Sequence, residues 1–317
     1  MVNLALIGCG YWGAKYLATL TGLADCRLRW VYNRRTVIAA SALPPGARFT
    51  TRLADILSDD AVQGAIVATP LASHFEIARA LLQAGKDVLV EKPFTATAAQ
   101  AAALRDLAAE RGRICMAGHI LLYNPAVDAA LAAMQGEADF ALRYIHSRRA
   151  STGAFRADAD VVWNLASHDL YLAHFLAGGA AAVSVNAHGA ALVDPGQVDA
   201  ADVAVRYANG VQALIHVSRV QPGKTRETLL VGARRQIVVD DGPEKSVTAH
   251  ALDGSHEPLA LPVAESMPLA NQCRHFVDRI GDRQAPLSDA AAGWENVRQL
   301  EAATRALQTG QEQSLMQ

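Results

Sequence analysis

The sequence predicts an α/β protein of two domains: a doubly wound parallel sheet of the Rossmann type, then an α+β domain with an open, mostly antiparallel sheet. Three observations predict it. The first 118 residues alternate short apolar, β-branched runs with helical patterns. A glycine-rich turn follows the first of those runs. Beyond about residue 120 the period changes, and runs that alternate apolar with polar residues are joined by turn signals.

Residues 3–8 (NLALIG) form an apolar run closed by glycine, so a buried strand, and 13–22 carry a helical pattern. Further strands are expected at 27–32, 64–69, 87–91 and 113–118, with helices at 53–60, 74–85 and 97–111. Near-continuous apolar strands separated by helices imply a parallel sheet covered on both faces. In the second half, 124–134 (NPAVDAALAAM) and the stretch holding WNLASHDL (163–170) are helical. The runs 182–192, 202–220, 227–241 and 245–252 alternate with period two, and Asn209-Gly210 predicts a two-residue hairpin turn. Residues 267–309 return to helix. The domains are therefore expected at 1–120 and 121–317, with the C-terminal helix able to pack back on the first.

Composition narrows the classes. Of 317 residues, 51% are hydrophobic and 19% charged, which excludes a disordered chain. A net charge of −2 argues against nucleic acid as the partner. Cys9, Cys26, Cys115 and Cys273 are too sparse for a disulfide framework and suit a reducing compartment. The most apolar region, 161–185, contains His168, Asp169 and His174 and makes a poor membrane span. With no secretory pattern at the start, the expectation is a cytoplasmic protein without a membrane partner. The histidines show no metal-ligand spacing, so no metal is expected.

Gly8-Cys9-Gly10-Tyr11-Trp12-Gly13 matches G-x-G-x-x-G after a strand and before a helix, the context the motif needs. Gly8 permits the tight turn, Gly10 lets the backbone approach a pyrophosphate, and Gly13 lets helix and strand pack closely. The helix N-terminus then offers N–H groups and a partial positive charge to the phosphates, with Tyr11 and Trp12 in the loop. At the end of the second strand, where an acid would accept bonds from a ribose 2′-hydroxyl, stand Asn33, Arg34 and Arg35. Guanidinium groups there suit a 2′-phosphate, so the cofactor reading is NAD(P)(H) with a lean to NADP. A stacking role for Arg34 and a solvated Arg35 remain the plainer alternative.

The block 69–94, TPLASHFEIARALLQAGKDVLVEKPF, resembles the signature of the glucose–fructose oxidoreductase / inositol dehydrogenase / MocA family: T-P-x-x-x-H, a helix, A-G-K, a strand, then E-K-P. GHILLYNPAV (118–127), WNLASHDL and LANQCRHFVDRI follow in the family's order, so the resemblance covers nearly the whole chain. The GYWG loop is similar to that of a branch acting on sugars, often nucleotide-activated. The resemblance implies hydride transfer between a nicotinamide and a ring carbon bearing a hydroxyl or ketone. It also implies a homodimer or homotetramer formed through the C-terminal sheet.

Carried onto this chain, the resemblance places Lys92 beside the nicotinamide and the reacting hydroxyl, and makes His168 the proton acceptor. Both suit their chemistry: an ammonium stabilises a developing alkoxide, and imidazole titrates near neutral pH. Thr69, Pro70, His74 and Glu91 are expected near the cofactor, although His74 is equally placed to begin a helix and Glu91 to orient Lys92. Tyr123, Asn124 and Trp163 are candidates for substrate contact, with Asn124 before Pro125 also an ordinary helix start. Asp169 reads as an orienting or surface charge. Asn164 departs from the family, where aspartate is frequent four residues before the histidine. An amide keeps the hydrogen-bonding shape and loses the charge. That departure is the one feature favouring a catalytically silent cofactor-binding sensor over the dehydrogenase.

Overall fold

The computed structural model describes all residues except 36–38, 137–139, 153–159, 194, 243–244, 256 and 317. Its first half runs β1 (Val2–Ile7), α1 (Tyr11–Thr21), β2 (Cys26–Tyr32), β3 (Arg48–Thr50), α2 (Leu53–Leu57) and β4 (Gly64–Val67). It continues with α3 (His74–Gln83), β5 (Asp87–Glu91), α4 (Ala98–Arg111) and β6 (Cys115–Gly118). These six strands make one sheet in the order β3-β2-β1-β4-β5-β6, every pair parallel. The order reverses beside β1, so β1 and β4 flank the switch point where such sheets bind ligands. β4 and β5 are buried along their whole length, as helices on both faces require. β3 was not expected: three residues are too few to show a period.

The second half runs α5 (Pro125–Gly136), β7 (Tyr144–Thr152), α6 (Ser167–Leu176), β8 (Ala182–Ala190), β9 (Ala200–Tyr207), β10 (Gln212–Ser218) and β11 (Val220–Val231). Then come β12 (Arg235–Asp240), β13 (Ser246–Ala251), β14 (Leu259–Leu261), α7 (Pro268–Asp282), α8 (Ala290–Thr309) and β15 (Gln313–Ser314). Nine strands form one sheet in the order β14-β13-β12-β11-β7-β10-β9-β8-β15, antiparallel except between β7 and β10. Along β9, Ala201, Val203, Val205 and Tyr207 are buried while Asp202, Ala204 and Arg206 are exposed. This alternation gives the sheet one covered face, on which α5 and α6 pack.

The chain divides into two compact units, one of Met1–Ile120 with Met267–Val297, the other of Leu121–Ser266 with Arg298–Gln317. α7 joins the first unit because its apolar side packs on α1 and β1.

The Asn209-Gly210 turn departs from expectation. Tyr207 pairs with Val211, leaving a three-residue loop of Ala208, Asn209 and Gly210. Gly210 takes the positive φ of 87°, and Asn209 is not among the residues with positive φ. A two-residue turn of type I′ would need both in that region. Instead the Asn209 side chain is committed: Nδ2 donates to the Ala177 carbonyl at 2.8 Å, and Oδ1 accepts from the Val211 N–H at 3.2 Å.

Candidate active site

In the first unit the glycine loop is shaped as its sequence implied. Gly8 has φ +99°, and a Cβ there would lie 2.6 Å from the Ala68 carbonyl oxygen. A Cβ on Gly13 would meet the Gly8 carbonyl oxygen at 2.1 Å, so the loop closes onto the first turn of α1 only with glycine. Gly10 has an ordinary extended backbone, and a Cβ there would meet nothing within 4 Å. Its bare backbone therefore faces open space at a helix N-terminus with no acid in the first turn, which fits a pyrophosphate. Tyr11 is exposed and stands edge-on to Trp12, and the Lys15 ammonium lies 4.5 Å and 4.7 Å from the two ring centroids. Lys15 adds a cation to the loop that the motif did not announce. Asn33 is partly buried at the end of β2, and Arg34 and Arg35 follow, exposed, with no acid among these three.

Lys92 leaves the C-terminal end of β5 through a cis Lys92–Pro93 bond. Two buried side chains brace it. Glu91 Oε1 accepts from the Tyr16 hydroxyl at 2.6 Å, and its Oε2 accepts from the Lys92 backbone N–H at 3.2 Å. Gln272 on α7 donates in turn to the Tyr16 oxygen at 2.8 Å. Burial raises Glu91 above the usual carboxylate range, and burial followed by the Glu91 charge raises Tyr16.

His74 is also buried, with Nδ1 2.9 Å from the Pro93 carbonyl oxygen and Nε2 2.8 Å from that of Thr69. It ties the segment after β4, holding Thr69 and Pro70, to the turn after Lys92. Burial depresses its proton affinity. His74 thus braces one loop against the other. His119, after β6, is also buried, and burial and then the Lys92 charge depress its proton affinity. Among the described residues no cluster of three or more His, Cys, Asp or Glu could hold a metal.

In the second unit, residues 162–166 form a π turn that runs into α6. The Ser167 N–H reaches the Val162 carbonyl five residues back, while the Asn164 N–H reaches Asp160 at 3.0 Å. The expected helix is present, with its first turn widened where Asn164 stands; such bulges frequently mark functional sites. Asn164 and His168 are both half-buried. Trp163 donates from Nε1 to Thr304 Oγ1 at 3.0 Å.

One reading needs correcting here. Of the two roles expected for Asp169, the surface charge is ruled out: it is buried and receives Arg149 Nε at 2.6 Å, Arg149 Nη2 at 3.1 Å and the Ser147 hydroxyl at 2.6 Å. This pair fixes the helix of His168 to β7, and no local pattern announced it because its partners stand 20 residues apart. Asn124 is buried and acts as the helix start. Its Oδ1 accepts from the Ala126 N–H at 3.1 Å, and its Nδ2 donates to Asp241. Tyr123 beside it is likewise buried.

The family described as "Oxidoreductase family, NAD-binding Rossmann fold" matches residues 2–119, and the "GFO/IDH/MocA C-terminal domain" matches 136–238. UDP-N-acetylglucosamine 3-dehydrogenase from Acidithiobacillus ferrooxidans is 31% identical over 242 residues, 73% of this chain and 74% of that protein. The chain belongs to the GFO/IDH/MocA oxidoreductase family. It is an NAD(P)-dependent oxidoreductase acting on CH–OH groups. The solved structure of that UDP-N-acetylglucosamine 3-dehydrogenase superposes with a TM-score of 0.87 at 26% identity, covering 96% of this chain and 97% of that one. GenD2 from gentamicin A biosynthesis, in complex with NAD, has a TM-score of 0.83 at 26% identity, covering 100% and 97%. The NADP-dependent scyllo-inositol 2-dehydrogenase IolW of Bacillus subtilis is 25% identical over 81% of this chain and 71% of its own length.

Proposed function

We propose that this enzyme oxidises a ring hydroxyl of a nucleotide sugar, with UDP-N-acetylglucosamine as the first substrate to test. The observation that carries the reading is Lys92: an ammonium at the C-terminal end of a central parallel strand, its backbone held by a buried carboxylate and its turn by a buried histidine. The likeness to the UDP-N-acetylglucosamine 3-dehydrogenase supplies the substrate class. A nicotinamide bound there would supply the hydride acceptor for the carbinol carbon. Gly8, Gly10 and Gly13 with the N-terminus of α1 hold its pyrophosphate, and Tyr11, Trp12, Thr69 and Pro70 line the approach. The Lys92 ammonium donates to the substrate oxygen and stabilises the negative charge that grows there. His168 takes the hydroxyl proton, and Asn164 positions the sugar through its amide. Arg34 and Arg35, with no acid at the end of β2, support use of NADP as well as NAD. The exposed face of the nine-stranded sheet is the surface through which two or four copies associate.

The test is turnover. Purified enzyme with NAD+ or NADP+ is presented with UDP-N-acetylglucosamine, free N-acetylglucosamine and scyllo-inositol, and nicotinamide reduction is followed. Lys92→Ala should lose about 10²–10³ in kcat, the loss typical of one oxyanion donor. Turnover retained in Lys92→Ala would refute the role of Lys92, and no turnover on any nucleotide sugar would refute the substrate class.

A further inference from the structure

One pair of charges in the second unit has no account in the chemistry above. Arg226 on β11 stands directly opposite Arg149 on β7 in the antiparallel ladder. Like charges at such positions destabilise a sheet. Arg149 is discharged by Asp169 through two hydrogen bonds. Arg226 is not. Its nearest acid among the described residues is Asp241, at 3.9 Å, beyond hydrogen-bonding distance. Asp241 is equally far from Arg149, at 3.9 Å, receives the Asn124 amide, and has its carboxyl held up by burial. The Arg226 side chain remains 40% exposed.

The surroundings point the same way. Arg226 shares the covered face of the sheet with Thr228 and Leu230, the face on which α6 packs, and it lies within the field of Asp169, the residue after His168. Just before it, β11 breaks register between Val220 and Thr225, where Gly223 has φ +79° and Lys224 is exposed. Bulges of this kind cluster beside active sites, where they re-aim side chains. A second cation held against a buried one, with its donors unspent among the described residues, is a planar site for an oxyanion.

We propose that Arg226, backed by Arg149, binds the diphosphate of the nucleotide sugar and so sets the preference for nucleotide-linked over free sugars. The proposal rests on the nucleotide-sugar reading given above. UDP is the probe, because its binding does not require turnover. Calorimetry should show UDP binding weakened about 10- to 100-fold in Arg226→Ala, as loss of charge-assisted bonds implies, and less in Arg226→Lys. With UDP-N-acetylglucosamine the loss should fall on KM. Relief of the like-charge pair should leave the melting temperature of Arg226→Ala equal to or above that of the wild type, whereas a structural arginine would lower it.

UDP affinity equal in wild type and Arg226→Ala overturns the proposal. So does a lowered melting temperature with UDP and NAD+ weakened alike. Arg226-dependent binding of glucuronate without binding of UDP overturns it too, assigning the site to a sugar acid. Should the wild type leave UDP-N-acetylglucosamine unoxidised yet bind UDP through Arg226, the substrate reading falls and the anion site stands.

Discussion

The Tyr16 hydroxyl donates to the buried Glu91 carboxylate at 2.6 Å, joining the helix that follows the glycine loop to the strand that leads into Lys92. Tyr16→Phe removes the donor while leaving the acceptor buried. Leaving a buried acceptor unpaired costs about 1–3 kcal/mol. Chemical denaturation should show a loss of that size, and Glu91 should rise further from its usual range because the hydroxyl favours its charged form. Full stability in Tyr16→Phe would mean that Gln272 takes over the contact.

Arg149 and Asp169 make the corresponding brace in the second unit, both buried. Removing one partner strands the other charge, and breaking such a pair costs about 3–5 kcal/mol. Arg149→Ala should lose that much by urea unfolding. Arg149→Met combined with Asp169→Leu should recover most of it, because an apolar pair of similar volume leaves no stranded charge. A double variant as unstable as the single one would show that Ser147 and Asp241 depend on the ions.

These contacts show where sequence stops being informative. The parallel strands were legible because burial on both faces writes itself as continuous apolar runs, as in β4 and β5. The glycine loop was legible because positive φ at Gly8 and the closeness of Gly13 to Gly8 admit no side chain. β7 was missed: YIHSRRAST is polar because one of its inward residues, Arg149, neutralises an aspartate 20 residues away. Tyr16 and Gln272 were missed for a similar reason. Their partners lie at 75 and 256 residues' separation, and no local period records such distances.

Asp59 provides a pH handle in the first unit. It accepts from Arg29 Nε at 2.5 Å, Trp30 Nε1 at 2.7 Å and Arg48 Nη2 at 3.2 Å, and the Arg29 bond foremost pulls it down to about 2. In the unfolded chain an aspartate titrates near ~3.9. Its stabilisation is therefore complete above about pH 4 and is lost as pH falls toward 2. Asp59→Asn should be less stable at neutral pH and lose less further stability across that window. Parallel acid-unfolding curves for variant and wild type would contradict it.

Arg34 and Arg35 test the cofactor lean. Both are exposed at the end of β2, so replacing them costs little stability. If one pairs with a 2′-phosphate, Arg34→Ala or Arg35→Ala should raise KM for NADP+ by about tenfold, one charge-assisted bond, with a smaller effect on NAD+. Equal effects on the two cofactors would leave a stacking role on the adenine.

Asn164 gives the sharpest probe of the chemistry. It stands in the π turn that leads into the helix of His168. A carboxylate there would favour imidazolium over imidazole. On the proposal that His168 is the base, the acidic limb of the kcat/KM profile should therefore move to higher pH in Asn164→Asp, by about one unit. Above that limb the rate should rise several-fold, since the same anion stabilises the imidazolium that forms as the hydroxyl proton is taken. Asn164→Ala separates charge from shape: it should raise KM for the sugar and leave the limb in place. A lower plateau in Asn164→Asp with an unmoved limb would show that the neutral amide is itself fitted to this substrate, donating to a sugar oxygen that a carboxylate would repel.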